Sequence, residues 1–156
     1  SLGLQAFGKP GSLLASAFLT STLDQAQFKR TGFNGLMLPV LEDSGLANSA
    51  TDGNLSLRDL LLFSSVCGAG LDVIPLPGET TAEELTPILL DLAALSLRLN
   101  KALTARLMPI PGKKPGEMTA FDFAFFANSR ILPVNSAPLQ GKLIGNEEIE
   151  IKARKA

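Results

Sequence analysis

The sequence predicts an α/β fold of parallel strands joined by crossover helices. Three observations carry this reading. Residues 36–41 are a short, almost wholly apolar run, the pattern of a strand buried on both faces; 71–76 is a second apolar strand and 104–109 reads as a third. Helical periodicity fills the intervals between them, and turn residues mark most junctions. Strand, helix, strand, helix, strand in that order implies right-handed parallel connections in a layered fold.

From the N-terminus, a short lead over residues 1–11 runs into a helical pattern, as if the fold were entered part-way. Pro10 and Gly11 make a turn, Ser12 is placed as an N-cap, and the helix is expected over residues 13–27. After the turn Thr31-Gly32-Phe33-Asn34-Gly35 comes the first strand, 36–41, with Pro39 removing one ladder donor. Glu42 and Asp43 stand at its end. Residues 44–54 are small and polar, enough for one helical turn and a loop. Ser56 caps a helix over 57–66 that stops at Cys67-Gly68-Ala69-Gly70, and the second strand follows over 71–76.

Thr81-Ala82-Glu83-Glu84 is a capping box, in which each end satisfies an orphan amide of the other. It opens the strongest helix, running to Lys101. Glu84, Asp91 and Arg98 recur every seven residues along it as one narrow polar stripe. A helix otherwise so apolar is expected to be covered over most of its circumference. The third strand, 104–109, leads into the loop Pro111-Gly112-Lys113-Lys114-Pro115-Gly116. The aromatic run Phe121-Asp122-Phe123-Ala124-Phe125-Phe126 is expected in the core, and a last short strand near residues 149–151.

Composition narrows the function classes. The 156 residues carry 14 basic and 15 acidic side chains, 46% hydrophobic residues and 19% charged ones. That is globular, and its length fits one α/β domain over residues 1–156 or a piece of a larger unit. A net charge of −1 removes a whole-domain basic footprint for nucleic acid. The sequence holds no His, so Ser-His-Asp and Cys-His mechanisms and imidazole-built zinc sites are excluded from this chain. A single Cys fits a reducing compartment, hence the cytoplasm. The most apolar stretch, 85–99, is interrupted by Asp91 and Arg98 and falls short of a membrane span.

In parallel α/β sheets ligands gather at the carboxyl ends of strands. There the sequence sets Glu42 and Asp43, then 75–78, then Lys113 and Lys114, so two acids and two lysines are expected at one rim. Capping of the next helix is the competing role for Glu42 or Asp43. Asp72 and Arg106 each sit inside an apolar strand. If those strands are neighbours the two pair, either as a structural ion pair or facing a substrate. Cys67 lies at a helix C-terminus, where the dipole opposes a thiolate, so a small buried residue is the first reading there. Residues 111–116 lack the first glycine of a P-loop, which leaves the two lysines as solvated or as anion contacts.

These segments resemble a known family. Thr31-Gly32-Phe33-Asn34-Gly35 through Glu42-Asp43, Ser65-Val66-Cys67-Gly68 through Pro77-Gly78, Leu103-Thr104-Ala105-Arg106 through Lys113-Lys114, and Phe125-Phe126-Ala127-Asn128-Ser129-Arg130 are similar to the bacterial and archaeal family called domain of unknown function 711. That family is often labelled pyruvate formate-lyase-like. The resemblance implies a longer protein of which this chain is the C-terminal part, and an α/β barrel like that of the glycyl radical enzymes. It brings no catalytic residue or cofactor with it. The glycyl-radical pairing of a loop cysteine with an Arg-Val-x-Gly-aromatic motif is not matched. Cys67 stands for the cysteine, but Arg30-Thr31-Gly32-Phe33 is one residue short and precedes the strands.

The function expected is an enzyme-like domain binding an anionic small molecule. Glu42, Asp43, Cys67 and Asp72 are the candidate catalytic groups, and Arg106, Lys113, Lys114, Asn128 and Arg130 the binding groups. The alternative is a non-catalytic assembly subunit that completes a barrel with a second copy or with a companion chain supplying the N-terminal part.

Overall fold

The computed structural model describes residues 2–146 and 148–154. Ser1, named above as the start of the lead and of the 1–156 domain, lies outside the described residues, as do the last two residues of that span. The chain is α/β, built on a two-stranded parallel sheet that does not close on itself.

Strand β1 (Gly70–Pro77) is buried along nearly its whole length. It pairs in parallel with β2 (Thr104–Ile110) from Gly70 opposite Thr104 to Pro77 opposite Ile110. The expected first strand is not a strand. Residues 36–41 touch β1 through one parallel bridge, Pro39 to Asp72, with Val40 N–H donating to Asp72 O at 3.1 Å and Leu41 N–H to Val73 O at 3.3 Å. Pro39 has no N–H to extend that ladder. Farther along the same edge Leu132 N–H takes over, donating to Pro75 O at 3.0 Å. Thus β1 is flanked on both sides, while only β2 is a full partner.

Helix α1 (Ser12–Gln25) starts one residue earlier than expected and ends sooner. Gly11 at φ 100° takes the cap position, and Ser12 Oγ accepts from Gly8 N–H and donates to Lys9 O. Helix α2 (Ser44–Thr51) fills most of the stretch expected to hold a single turn, because Asp43 caps it. Helix α3 (Leu57–Phe63) is opened by a Ser56/Asp59 capping box and is shorter than expected, giving way to turns before Cys67. Helix α4 (Ala82–Leu99) has the Thr81/Glu84 capping box read from the sequence. It stops at Leu99 because Asn100 adopts the left-handed conformation, φ 50°.

The core gathers Leu71, Ile74 and Leu76 of β1 with Leu60 and Phe63 of α3 and Ile88 and Leu92 of α4. Coverage is lopsided. Only Ile88 and Leu92 of α4 are buried, and Leu14 and Phe18 of α1 are 75% and 57% exposed. The expectation that α4 is wrapped on most sides therefore fails within the described residues. The aromatic run is likewise not core. It sits at the tip of an antiparallel excursion tied by Gly116 N–H to Ile131 O and Thr119 N–H to Ser129 O. There Phe121, Phe123, Phe125 and Phe126 stack edge-to-face on one another, with Phe125 76% exposed. Residues 149–151 form no strand. The segment lies along α4, with Arg98 Nη1 donating to Lys152 O and Arg154 N–H to Arg98 O. Among the described residues, no helix is long and apolar enough to cross a membrane.

Candidate functional site

Side chains alternate along a strand, so Ala105 and Leu107, which pack on the core with α4, set Arg106 on the opposite face of β2. Its neighbour across the ladder is unusual. Leu71 pairs with Ala105 and Ile74 with Leu107, so both Asp72 and Val73 oppose the single residue Arg106. This is a bulge, and it re-aims the side chains beside it. Val73 has φ 45°, a region that a β-branched residue enters only under strain of about 1–3 kcal/mol. Two contacts hold it there: Val73 O accepts from Leu41 N–H, and the side chain is buried.

The bulge brings three charges into a row across the sheet. Asp72, 2% exposed, accepts a hydrogen bond from Arg106 Nε at its Oδ1. The other edge of the guanidinium meets Glu42, with Nη1 donating to Oε1 at 3.2 Å and Nη2 to Oε2 at 3.4 Å. Glu42 reaches this point from the far side of β1, because Leu41 is level with Val73. The Arg106 side chain is 51% exposed and that of Glu42 35%. The hydrogen bond to Asp72, followed by the charge attraction of both acids, holds the Arg106 guanidinium above its ordinary value. Among the described residues, Asp72 Oδ2 and the rest of the Glu42 carboxylate take no further hydrogen bond.

The remaining candidates are placed elsewhere. Asp43 Oδ1 accepts from Leu46 N–H at 2.8 Å, so this carboxylate is occupied as the α2 cap. Cys67 is fully buried in the core, its Sγ accepting from Gly70 N–H. Lys113 and Lys114 follow the end of β2, beyond Ile110, which is itself about 13 Å along the strand from Arg106. The acids and lysines thus do not share one rim: the segment 36–41 is offset along β1, and Glu42 ends level with the middle of the strands rather than their carboxyl ends. Asn128 spends its amide on Thr119 Oγ1 and on both backbone groups of Phe121, anchoring the aromatic tip. Arg130 is exposed, with its N–H on Thr51 Oγ1. Sequence reasoning missed the Glu42–Arg106 contact and the bulge. The charges inside apolar runs were the available signal, whereas a β-branched Val73 points away from a positive φ.

The row reaches water through Arg106 and Glu42, while Asp72 is buried beneath them. Cavities of about 510 and 560 Å³ lie between α3 and α4, one lined by Ser56, Arg58 and Asn135, the other by Leu61, Leu62 and Leu95. Neither touches Glu42, Asp72 or Arg106. Among the described residues, no three His, Cys, Asp or Glu side chains converge as a metal site.

Comparison with known proteins fits this incomplete cover. A family model described as Uncharacterised ACR (DUF711) matches residues 1–134. A "UPF0210 protein" of Syntrophobacter fumaroxidans is 41% identical over 125 residues, covering 78% of this chain but 27% of that protein. Namesakes from Oleidesulfovibrio alaskensis and Lactobacillus helveticus are 36% and 34% identical, each covering 86% of this chain and 30% or 31% of their own length. The chain therefore spans less than a third of the length of these curated relatives.

Proposed function

The chain belongs to the DUF711 family, and from that premise we propose that it is the C-terminal portion of a larger α/β barrel of the pyruvate formate-lyase type, which binds an anionic small molecule on the sheet face carrying Asp72 and Arg106. The observation that carries this reading is the arrangement of Arg106. A buried carboxylate fixes one edge of its guanidinium, and the other edge meets the partly exposed Glu42 on the face of β2 opposite the core. In a barrel that face is the interior. Arg106 would anchor the anion, and Asp72 or Glu42 would handle a proton. The lone buried Cys67 supports a cytoplasmic setting.

A second reading, a non-catalytic subunit that completes a barrel with another copy or a companion chain, is favoured by the exposed apolar faces of α1 and α4. A native mass spectrum of the protein as purified separates the two. The first reading expects a small anionic adduct that disappears in Arg106→Met. Added mass of a second chain with no adduct favours the subunit. A bare monomer in both variants overturns both.

A further inference from the structure

We infer that Glu42 occupies the place of a ligand carboxylate, and that the site takes small molecules bearing a carboxylate group in exchange for it. This rests on the reading that the Arg106 face binds an anion, and it names the anion's class. Arg106 has two edges with different partners. The Nε edge is fixed by Asp72, which is 2% exposed and cannot leave without abandoning a buried charge. The Nη1–Nη2 fork carries Glu42 in the two-pronged geometry that matches a planar carboxylate.

That second contact is the looser one. Its bonds, 3.2 and 3.4 Å, exceed the roughly 2.7–2.9 Å of well-made charge-assisted bonds. Glu42 has no other side-chain hydrogen bond among the described residues, and its backbone is pinned independently by Glu42 N–H on Pro39 O at 3.1 Å. Rotation of the side chain alone would free the fork, leaving β1 and β2 undisturbed. Charge favours the exchange being of this carboxylate: Asp72 and Arg106 neutralise one another, and Glu42 is the surplus negative group, its side chain 35% exposed.

The test uses the full chain labelled with ¹⁵N-arginine, following the Arg106 Nε–H resonance, assigned by its loss in Arg106→Lys. Acetate is the probe, titrated at constant ionic strength, with inorganic phosphate as comparator. The tethered Glu42 carboxylate competes for the fork through a partly exposed contact, so Glu42→Gln is expected to lower the acetate concentration for half-saturation about threefold to fivefold. The protected Nε–H should persist in that variant, reporting the intact Asp72 contact. If Nε–H is protected but acetate binds Glu42→Gln no better than the parent, the exchange is refuted and the anion-binding face itself still stands on its mass-spectral test. If phosphate gains from Glu42→Gln and acetate does not, the carboxylate assignment is wrong. An unprotected Nε–H in the parent chain would sink this inference and the reading beneath it together.

Discussion

Replacing Arg106 by methionine isolates the energetic role of the charged row. Methionine keeps much of the apolar stem while removing the guanidinium, so the loss is chiefly that of the partner of Asp72. Breaking a buried ion pair from one side costs about 3–5 kcal/mol, since it leaves an uncompensated charge. Asp72 is 2% exposed but Arg106 is 51% exposed, so water reaches the vacated side, and the lower end, about 3 kcal/mol, is expected. Glu42→Gln, acting on the exposed side of the same guanidinium, should cost under about 1 kcal/mol. Removing both members, Asp72→Asn with Arg106→Met, abolishes the lone charge and leaves only an imperfectly bonded amide, about 1–2 kcal/mol. The double variant is therefore expected to be more stable than Arg106→Met alone. Urea denaturation at pH 7 and pH 5 is the assay. Burial of an unpaired carboxylate favours its protonated form, so the folded single variant takes up a proton that the unfolded chain releases. Its deficit should shrink as the pH falls and grow as the pH rises. Equal stability of the single and double variants, or a pH-independent deficit, would refute the reasoning.

Three other outcomes follow from particular positions. Val40 and Val73 are both buried, but only Val73 has a positive φ. Glycine relieves that strain, so Val73→Gly should cost about 1–2 kcal/mol less than Val40→Gly by the same urea assay. A Cβ on Gly70, at φ 114°, would lie 2.4 Å from Thr104 O, whereas one on Gly53, at φ 75°, meets nothing within 4 Å. Thermal melting should show Gly70→Ala losing about 3 kcal/mol or more and Gly53→Ala about 1–2. Lys101 donates from Nζ to Ser64 O, and desolvation, outweighing its attraction to Cys67 and Asp24, holds its ammonium below the ordinary 10.5. The unfolded chain then keeps this proton to higher pH than the folded one. As the pH rises toward 10.5 the parent should accordingly gain stability relative to Lys101→Met, measured by denaturation across the alkaline range.

Local signals in the sequence determined much of the architecture. Thr81 and Ser56 mark helix starts because a cap hydrogen bond forms between residues three apart, whatever surrounds them. The runs 71–76 and 104–109 read as strands because a short, mostly apolar stretch between turn residues fits a sheet, and β1 is buried along nearly its whole length. The charges of Asp72 and Arg106 inside those runs were legible for the same reason: they break the pattern. The run 36–41 is more apolar than either strand but is not one; each run holds a proline, Pro39, Pro75 or Pro109, and what differs is the neighbour, since 36–41 meets β1 through one bridge before Leu132 takes over the same edge. The aromatic run 121–126 is equally apolar yet largely exposed, because burial depends on what lies opposite and not on hydropathy alone. Only the tertiary structure decided the site. One extra residue in β1 sets Asp72 and Val73 against Arg106, and the offset of residues 36–41 carries Glu42 over β1 to the same guanidinium. Register and offset are relations between distant segments, and a reading of neighbours along the chain holds no term for them.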